Sequence, residues 1–317
     1  MTDVFLIAAA RAAIGSFGGS LKDQKPGELA GGIMKAAMER GGVAPDLIGH
    51  VVLGNVVHTE PRDAYNARIA AIAAGAPQES AAMTVNRLCG SGLQAIISAS
   101  QSLLLGDCEV AIGAGVEVMS RAPYYLPDAR WGRKMGNAAV QDGLVGALTD
   151  PFQNIHMGVT AENVAARYGI SREDQDALAL ESQRRAANAI AQGYFRDQIV
   201  PLQIEAGRKT VTFDTDEYVR KDAAIGDFEK LKPVFQKDGT VTAGNASGIN
   251  DGAAAVVLAS GVAVNTHGLK PMARLVAYGH AGVDPAYMGI GPVPATRNAL
   301  KRAGLTLADI DVIEANE

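Results

Sequence analysis

One of the two cysteines in the chain lies where a nucleophile is expected. Cys89 stands between a polar turn and an apolar run, in the sequence Asn86-Arg-Leu-Cys-Gly-Ser-Gly92. The positions from Leu93 to Leu105 are apolar nearly all round, which predicts a buried helix with the cysteine in its first turn. Unpaired backbone N–H groups and the helix dipole at such a helix start stabilise thiolate over thiol. This placement predicts a cysteine nucleophile.

The alternative for either cysteine is a small buried hydrophobic side chain. Cys108 fits that alternative, because Asp107-Cys-Glu-Val110 leads from a turn into a predicted buried strand. At Cys89, the neighbours Gly90, Ser91 and Gly92 would let another backbone or a thioester substrate come close to the sulfur. We therefore take Cys89 as the candidate catalytic residue.

The composition restricts the function classes. Hydrophobic residues make up 48% of the 317 residues and charged residues 20%, which is typical of a soluble globular protein. A net charge of −5 gives no support to nucleic-acid binding. Two cysteines make no disulfide framework, and neither a signal peptide nor a run long enough to span a membrane is recognised. We expect a cytoplasmic protein without nucleic-acid or membrane partners.

A segment near the start of the chain reappears near its end. The stretch 36–52 matches 298–313 in one register, so that Gly42 pairs with Gly304 and Ile48 with Ile310. Each copy predicts a helix, a glycine stop and a strand. A duplicated α/β core is one interpretation, and a chance match of a common unit is the other. If the repeat is real, the second half lacks a counterpart of the Cys89 helix and is incomplete.

The middle of the chain has a different character. The stretch 120–148 is loop-like and carries aromatic and basic residues, which indicates either a subunit contact or a self-packed loop. Helices are predicted over 160–168 and 172–192, and small residues from 240 to 252 form either a ligand-binding turn or a tight connection. We predict three domains. They are an N-terminal α/β half with the nucleophile at 1–119, an inserted loop domain at 120–248 and the start of a C-terminal α/β half at 249–317.

Five motifs in order resemble the thiolase family, with bacterial acetyl-CoA acetyltransferases and β-ketothiolases as the nearest members. They are Val85-Asn-Arg-Leu-Cys-Gly-Ser-Gly92, Asn154-Ile-His-Met-Gly-Val-Thr-Ala-Glu162, Gly244-Asn-Ala-Ser-Gly-Ile-Asn-Asp-Gly-Ala253, Gly289-Ile-Gly-Pro-Val-Pro-Ala295 and Glu314-Ala-Asn-Glu317. The resemblance implies a duplicated, five-layered α/β core with an inserted loop domain. It also implies a homotetramer built as a dimer of dimers, with no cofactor and no metal site.

The same resemblance implies an acyltransferase that performs reversible Claisen condensation and thiolysis on coenzyme A thioesters. Its substrates would be acetyl-CoA and acetoacetyl-CoA or longer 3-ketoacyl-CoA. Cys89 would carry the acyl group, its backbone N–H would help hold the thioester oxygen, and Asn316 would fix a water that donates to the other oxyanion.

Residues implied to bind the substrate follow the length of CoA. His156 and Met157 would line the pantetheine channel, Met288 would lie near the acyl end, and Arg220 near the nucleotide end. Leu148 and Phe235 are also implied to contact substrate. The pantetheine would lie along Ala243, Ala246, Ser247 and Gly248. Asp227 stands where biosynthetic family members often have a serine near the adenine. A carboxylate is unfavourable beside a phosphorylated ligand, so we expect no direct contact there.

The chain departs from the family pattern at its end, because the family's Gly-His-Pro histidine and second catalytic cysteine are not found in it. General acid–base groups contribute about a hundredfold to ten-thousandfold each, so we expect little or no turnover from the chain as given. A ketoacyl-synthase-like condensing enzyme and a non-catalytic CoA- or lipid-binding protein are the alternative functions.

Overall fold

A computed structural model describes residues 3–316, which fall into two compact units. The first unit comprises Met1–Ala147, Phe195–Tyr218 and Ile249–Leu275. The second comprises Leu148–Tyr194, Val219–Gly248 and Val276–Glu317. Part of the predicted inserted domain therefore groups with the N-terminal residues, and the three-domain division at 119/120 and 248/249 stays a prediction.

The first unit is built on a mixed seven-stranded sheet. In the described part of the chain the strands are β1 Val4–Arg11, β2 Gly15–Ser16, β3 His50–Gly54, β4 Ala81–Val85, β5 Val110–Val118, β6 Tyr124–Tyr125, β7 Gln141–Asp142, β8 Leu202–Ala206, β9 Lys209–Phe213, β10 Asn250–Ser260 and β11 Ala273–Arg274. The sheet order is β11-β1-β10-β5-β3-β4, with β2 paired to β10. Strand β3 is parallel to β4 and β5, whereas β10 is antiparallel to β1 and β5. Strands β6 and β7, and β8 and β9, form two separate hairpins.

The helices are described over the same part of the chain. They are α1 Pro26–Gly41, α2 Asn66–Ala74, α3 Ser91–Leu105, α4 Gly143–Ala147, α5 Met157–Tyr168, α6 Arg172–Gln192, α7 Ile225–Glu229, α8 Gly261–His267 and α9 Pro292–Ala303. Helix α6 has the predicted bounds. Its start is fixed by a capping box, in which the Ser171 side chain accepts from the Asp174 N–H and Asp174 accepts from the Ser171 N–H. Its end is fixed by left-handed Gly193.

Two hydrophobic clusters cover opposite faces of the central sheet. Side chains alternate along a strand, so the even-numbered residues of β5 pack with α1 and α2 while Ala111 packs with α3. Helix α3 lies very close to the strands. A Cβ on Gly113 would lie 2.6 Å from the Ile96 Cα, and one on Gly54 would lie 2.5 Å from the Ser91 carbonyl carbon. These two glycines let the helix that follows Cys89 lie directly on the sheet.

The window Leu88–Leu105, which comprises the turn before α3 and the helix itself, meets a length and composition criterion for crossing a membrane. No run of this length was recognised in the sequence, whereas this window reaches 18 residues. A core helix of a soluble protein passes the same test, and α3 buries Ala95, Ala99 and Leu103 in the cluster beneath it. The packing therefore indicates a core helix.

The internal repeat is visible in the backbone hydrogen bonds. Helices α1 and α9 both end at a left-handed glycine, Gly42 and Gly304. The Val43 N–H donates to the Met38 carbonyl, and at the matching position the Leu305 N–H donates to the Leu300 carbonyl, each at 3.0 Å. A short 3-10 turn follows in both copies, at Pro45–Leu47 and Leu307–Asp309. The same register in sequence and hydrogen bonding supports a duplication over a chance match.

Candidate active site

Cys89 lies in a tight turn immediately before α3, not in the first turn of the helix as predicted. The Ser91 hydroxyl accepts a hydrogen bond from the Arg87 N–H at 2.8 Å and donates one to the Leu88 carbonyl at 2.6 Å. The Gly90 N–H donates to the Arg87 carbonyl at 3.1 Å. Leu88 has φ +46°, a left-handed conformation that is rare for a leucine. The turn therefore fixes the direction of the cysteine at the cost of backbone strain at Leu88.

Sequence reasoning missed the parts that Leu88 and Ser91 play in this turn. A serine next to a glycine suggests a local side-chain hydrogen bond, so Ser91 had a detectable signal. Leu88 had none, because the left-handed region is normally occupied by glycine or asparagine.

The two cysteines differ in environment. Cys89 is exposed, whereas Cys108 is partly buried. Burial raises the pKa of the Cys108 thiol to about 11, and the charge of neighbouring Asp107 adds to the rise. Cys108 therefore carries almost no thiolate at neutral pH. This contrast favours Cys89 as the nucleophile.

A partly buried carboxyl group, Glu117, lies on the same sheet face as α3. It follows Gly115 by two positions on β5, and a Cβ on Gly115 would lie 3.3 Å from the Gly92 Cα. The carboxyl oxygens accept from the N–H groups of Val56 and Val57. Burial raises the pKa of Glu117 to about 7, although hydrogen bonds from Val56, Val57 and the Asn55 side chain act to lower it.

Sequence reasoning also missed Glu117. Its signal was a single glutamate inside an otherwise apolar strand, a pattern that marks a buried titratable group.

In the second unit the predicted pantetheine residues come together at the start of α5. The His156 ring stacks on the Phe235 ring, with centroids 4.8 Å apart and planes 16° from parallel. His156 Nδ1 accepts from the Gly158 N–H at 3.0 Å and so caps the helix. A Cβ on Gly158 would lie 2.3 Å from the Phe235 ring. The Met157 N–H donates to the Leu148 carbonyl at 2.8 Å.

The small-residue loop with Ala243, Ala246, Ser247 and Gly248 adjoins this group, because the Val234 N–H donates to the Val241 carbonyl at 3.0 Å. Two buried carboxyl groups hold the loop. Glu162 of α5 contacts its start at Thr240 and Val241, and Asp176 of α6 accepts from Asn245 at 2.8 Å. Neither anchor was assigned a role from the sequence.

The remaining predicted residues are more dispersed. The Arg220 N–H donates to the Gln183 side chain at 2.8 Å. Asp227 accepts from the Ala224 N–H at 3.1 Å and so caps the short helix α7, which gives this carboxylate a structural role. Met288 lies in the 3-10 segment Pro285–Ile290, and Asn316 is exposed at the end of the described residues. Cys89 belongs to the first unit and the CoA-binding candidates to the second.

Within residues 3–316, no group of three or more His, Cys, Asp or Glu side chains is arranged to hold a metal ion.

The fold and the site together define an α/β enzyme class with a cysteine at a helix start. Residues 4–261 match the family described as Thiolase, N-terminal domain, and residues 269–317 match Thiolase, C-terminal domain. The chain belongs to the thiolase family of acyltransferases. The predicted family, α/β thiolase-like fold and enzyme class are thereby confirmed.

Several known proteins resemble the chain over nearly all its length. It is 61% identical to "Beta-ketothiolase BktB" of Cupriavidus necator, over 99% of this chain and 80% of that protein. It is 50% identical to "Acetyl-CoA acetyltransferase" of Chromobacterium violaceum, over 99% of this chain and 81% of that protein. The crystal structure of human mitochondrial 3-ketoacyl-CoA thiolase superposes with a TM-score of 0.95 at 44% identity, covering 98% of this chain and 79% of that one. The predicted incompleteness of the second half is not confirmed by these comparisons.

Proposed function

We propose that the chain transfers acyl groups between CoA thioesters through a covalent intermediate on Cys89. The observation that carries this proposal is the exposed Cys89 in a strained, glycine-flanked turn at the N-terminal end of α3. Its membership of the thiolase family supplies the substrate class.

The proposed reaction has two steps. In the first, the Cys89 thiolate attacks the carbonyl carbon of an acyl-CoA thioester and the CoA thiolate leaves, so that one thioester replaces another. The oxygen that becomes negative in this step lies near the backbone N–H of Cys89. In the second, the carbanion of another acetyl-CoA attacks the carbonyl carbon of the acyl-enzyme, forms the new C–C bond and frees the Cys89 thiolate. In the thiolysis direction, Cys89 attacks the 3-keto carbon of a 3-ketoacyl-CoA, the acetyl-CoA carbanion leaves and takes up a proton, and CoA thiolate then takes the acyl group from Cys89. Asn316 fixes the water that donates to the second oxyanion.

The substrate-binding part of the proposal rests on the second unit. His156, Met157, Leu148 and Phe235 form one connected group that adjoins the loop of Ala243, Ala246, Ser247 and Gly248. This group is the proposed pantetheine channel, with Arg220 towards the nucleotide and Met288 towards the acyl chain. A related human mitochondrial 3-ketoacyl-CoA thiolase, 44% identical, has a crystal structure in complex with CoA.

The substrates we propose are acetyl-CoA together with acetoacetyl-CoA or longer 3-ketoacyl-CoA, with no cofactor beyond these thioesters. The test is CoA-dependent cleavage of acetoacetyl-CoA and of 3-ketoacyl-CoAs of increasing chain length. We expect slow loss of the 3-ketoacyl-CoA absorbance with wild-type protein, in keeping with the low turnover expected from the sequence, and none with Cys89→Ala. Equal rates from both proteins would contradict the proposal, and CoA binding without cleavage would favour a non-catalytic CoA-binding function.

We further propose a homotetramer built as a dimer of dimers. Strand β4 lies at one end of the sheet and pairs with β3, and exposed edge strands can pair with a second chain. The stretch 120–148 also exposes large apolar side chains, among them Trp131 and Met135. Light scattering coupled to size-exclusion chromatography measures the mass in solution. A monomer at micromolar concentration would contradict this assembly.

A further inference from the structure

Helix α5 contacts two separate segments of the chain that are proposed to bind substrate, through two adjacent residues. Glu162 holds the start of the loop proposed to bind pantetheine, and Asn163 holds the segment that carries Met288. Both contacts lie within the second unit. Neither residue was among those expected to touch substrate, so each acts through the backbone segment that it holds.

The Glu162 side chain is built into the base of the loop. The residue is 5% exposed, and its carboxyl oxygens accept from the Thr240 N–H at 2.9 Å, the Thr240 hydroxyl at 2.9 Å and the Val241 N–H at 2.8 Å. A Cβ on Gly239 would lie 2.3 Å from Glu162 Oε1, so the preceding position accommodates no side chain. Three donors converging on one buried carboxyl group hold the start of the loop against α5.

The Asn163 side chain holds a different segment. Its Nδ2 donates to the Ala286 carbonyl at 3.0 Å, two residues before Met288. One turn further along α5, the Arg167 guanidinium lies over the Tyr287 ring, 4.8 Å from its centroid. Tyr287 interrupts the 3-10 segment with φ −129° and ψ 36°. Asn163 therefore fixes the backbone at the point where the segment changes direction.

We propose that Glu162 and Asn163 are positioning residues, each of which holds a segment that contacts a different part of the substrate. Glu162 sets the position of the CoA-binding loop, and Asn163 sets the position of the Met288 segment and hence the preference for acyl chain length. This inference rests on the proposed function, since that function assigns the loop to pantetheine and Met288 to the acyl end.

The two residues are expected to affect different parts of the substrate because each contact restrains a single segment. Glu162→Gln replaces an acceptor oxygen by an NH2 group that faces N–H donors, so the loop must move away. Asn163→Ala removes the hydrogen bond to the Ala286 carbonyl. The Met288 segment can then move to make room for a longer acyl chain.

The test is calorimetric binding of CoA, acetyl-CoA and hexanoyl-CoA to the full chain. The matched controls are Glu173→Gln and Asn188→Ala, which change the same residue types at exposed positions of α6. We expect Glu162→Gln to weaken the binding of all three ligands alike, by about tenfold, because one buried acceptor is lost. We expect Asn163→Ala to leave CoA affinity within about twofold and to raise the hexanoyl-to-acetyl affinity ratio about fivefold, because only the acyl end is released.

A general structural defect in Asn163→Ala would weaken the binding of all three ligands alike, so a changed hexanoyl-to-acetyl affinity ratio separates positioning from loss of fold in that variant. Identical profiles for the two variants, or wild-type profiles for both, would overturn this division of roles, whereas CoA binding by wild-type protein would still support the CoA-binding part of the proposed function. Failure of wild-type protein to bind CoA would overturn both. If Glu162→Gln does not fold, Thr240→Val removes one of the three donors and is expected to weaken the three ligands alike.

Discussion

Asn245 donates a hydrogen bond from its side-chain amide to the buried carboxyl of Asp176, with Nδ2 and Oδ1 2.8 Å apart. Asp176 also accepts from Arg172 Nε at 2.7 Å, and Arg172 in turn donates to the carbonyl groups of Phe228 and Leu231. One carboxyl on α6 thus connects the proposed pantetheine loop with the end of α7 and the residues that follow it. The loop is anchored at its start by Glu162 and in its middle by this network.

Asp176→Asn tests the network. Asp176 is 3% exposed, so the substitution leaves Arg172 and Asn245 with a poorer partner in a buried place. We expect the free energy of unfolding to fall by roughly 2–3 kcal/mol, as is typical when one partner of a buried pair is lost. Glu181→Gln, which breaks ion pairs with exposed Arg184 and Arg185 on the same helix, should remain close to wild type in urea denaturation. Equal losses for the two variants would contradict the prediction.

Glu117 predicts a dependence of stability on pH. Its pKa is raised to about 7 in the folded chain from an ordinary 4.5, so between these values the folded state retains a proton that the unfolded state releases. The stability contribution is complete below about pH 4.5 and is lost as pH rises towards 7.

The measurement compares wild type with Glu117→Gln by urea denaturation at several pH values. Relative to the variant, wild type should lose roughly 3 kcal/mol of unfolding free energy between pH 4.5 and 7, and no more above that range. Glu109→Gln, at an exposed position just before β5, is the control and should follow the wild-type curve. A flat difference between wild type and Glu117→Gln would show that Glu117 titrates normally.

Two glycine-to-alanine changes are expected to act in opposite directions. At Gly113 the new Cβ would lie 2.6 Å from the Ile96 Cα, so α3 must move away from β5 and stability should fall by about 1–3 kcal/mol. Gly32 lies inside α1, is exposed and has no heavy atom within 4 Å of its ideal Cβ. Alanine there should raise stability by up to about 1 kcal/mol. Thermal unfolding of both variants checks the signs, and a Gly113→Ala variant at least as stable as wild type would contradict the close packing of α3.

Ser91→Ala removes two hydrogen bonds from the turn that carries Cys89. We expect iodoacetamide to modify Cys89 at least about threefold more slowly in this variant, because the turn loses the contacts that hold Leu88 in its strained conformation. Ser98→Ala, further along α3, is the matched control and should react at the wild-type rate. An unchanged rate for Ser91→Ala would show that the turn keeps its geometry without the hydroxyl.

Local signals allowed part of this structure to be predicted. Helix α6 was predicted with its observed bounds, and the repeat was readable because Gly42 and Gly304 end their helices in the same way. The helix after Cys89 was predicted from its apolar residues. It begins at Ser91, so Cys89 lies before the helix and not in its first turn.

The anchors of the site could not be predicted in this way. Glu162 reaches Thr240 across 78 positions, Asn163 reaches Ala286 across 123, and Asp176 reaches Asn245 across 69. No local pattern identifies the partner of a buried carboxyl or amide at such separations. The resemblance to a family supplied the residues proposed to touch substrate, and the structure supplied the residues that hold them.

The central claim is that Cys89 carries the acyl group. The most direct measurement is the intact mass of the protein after incubation with acetyl-CoA, followed by peptide mapping. The account predicts one acetyl group per chain, on the peptide that contains Cys89, and none in Cys89→Ala. Acetylation of Cys108 with an unmodified Cys89, or no acetylation of a chain that binds CoA, would contradict it.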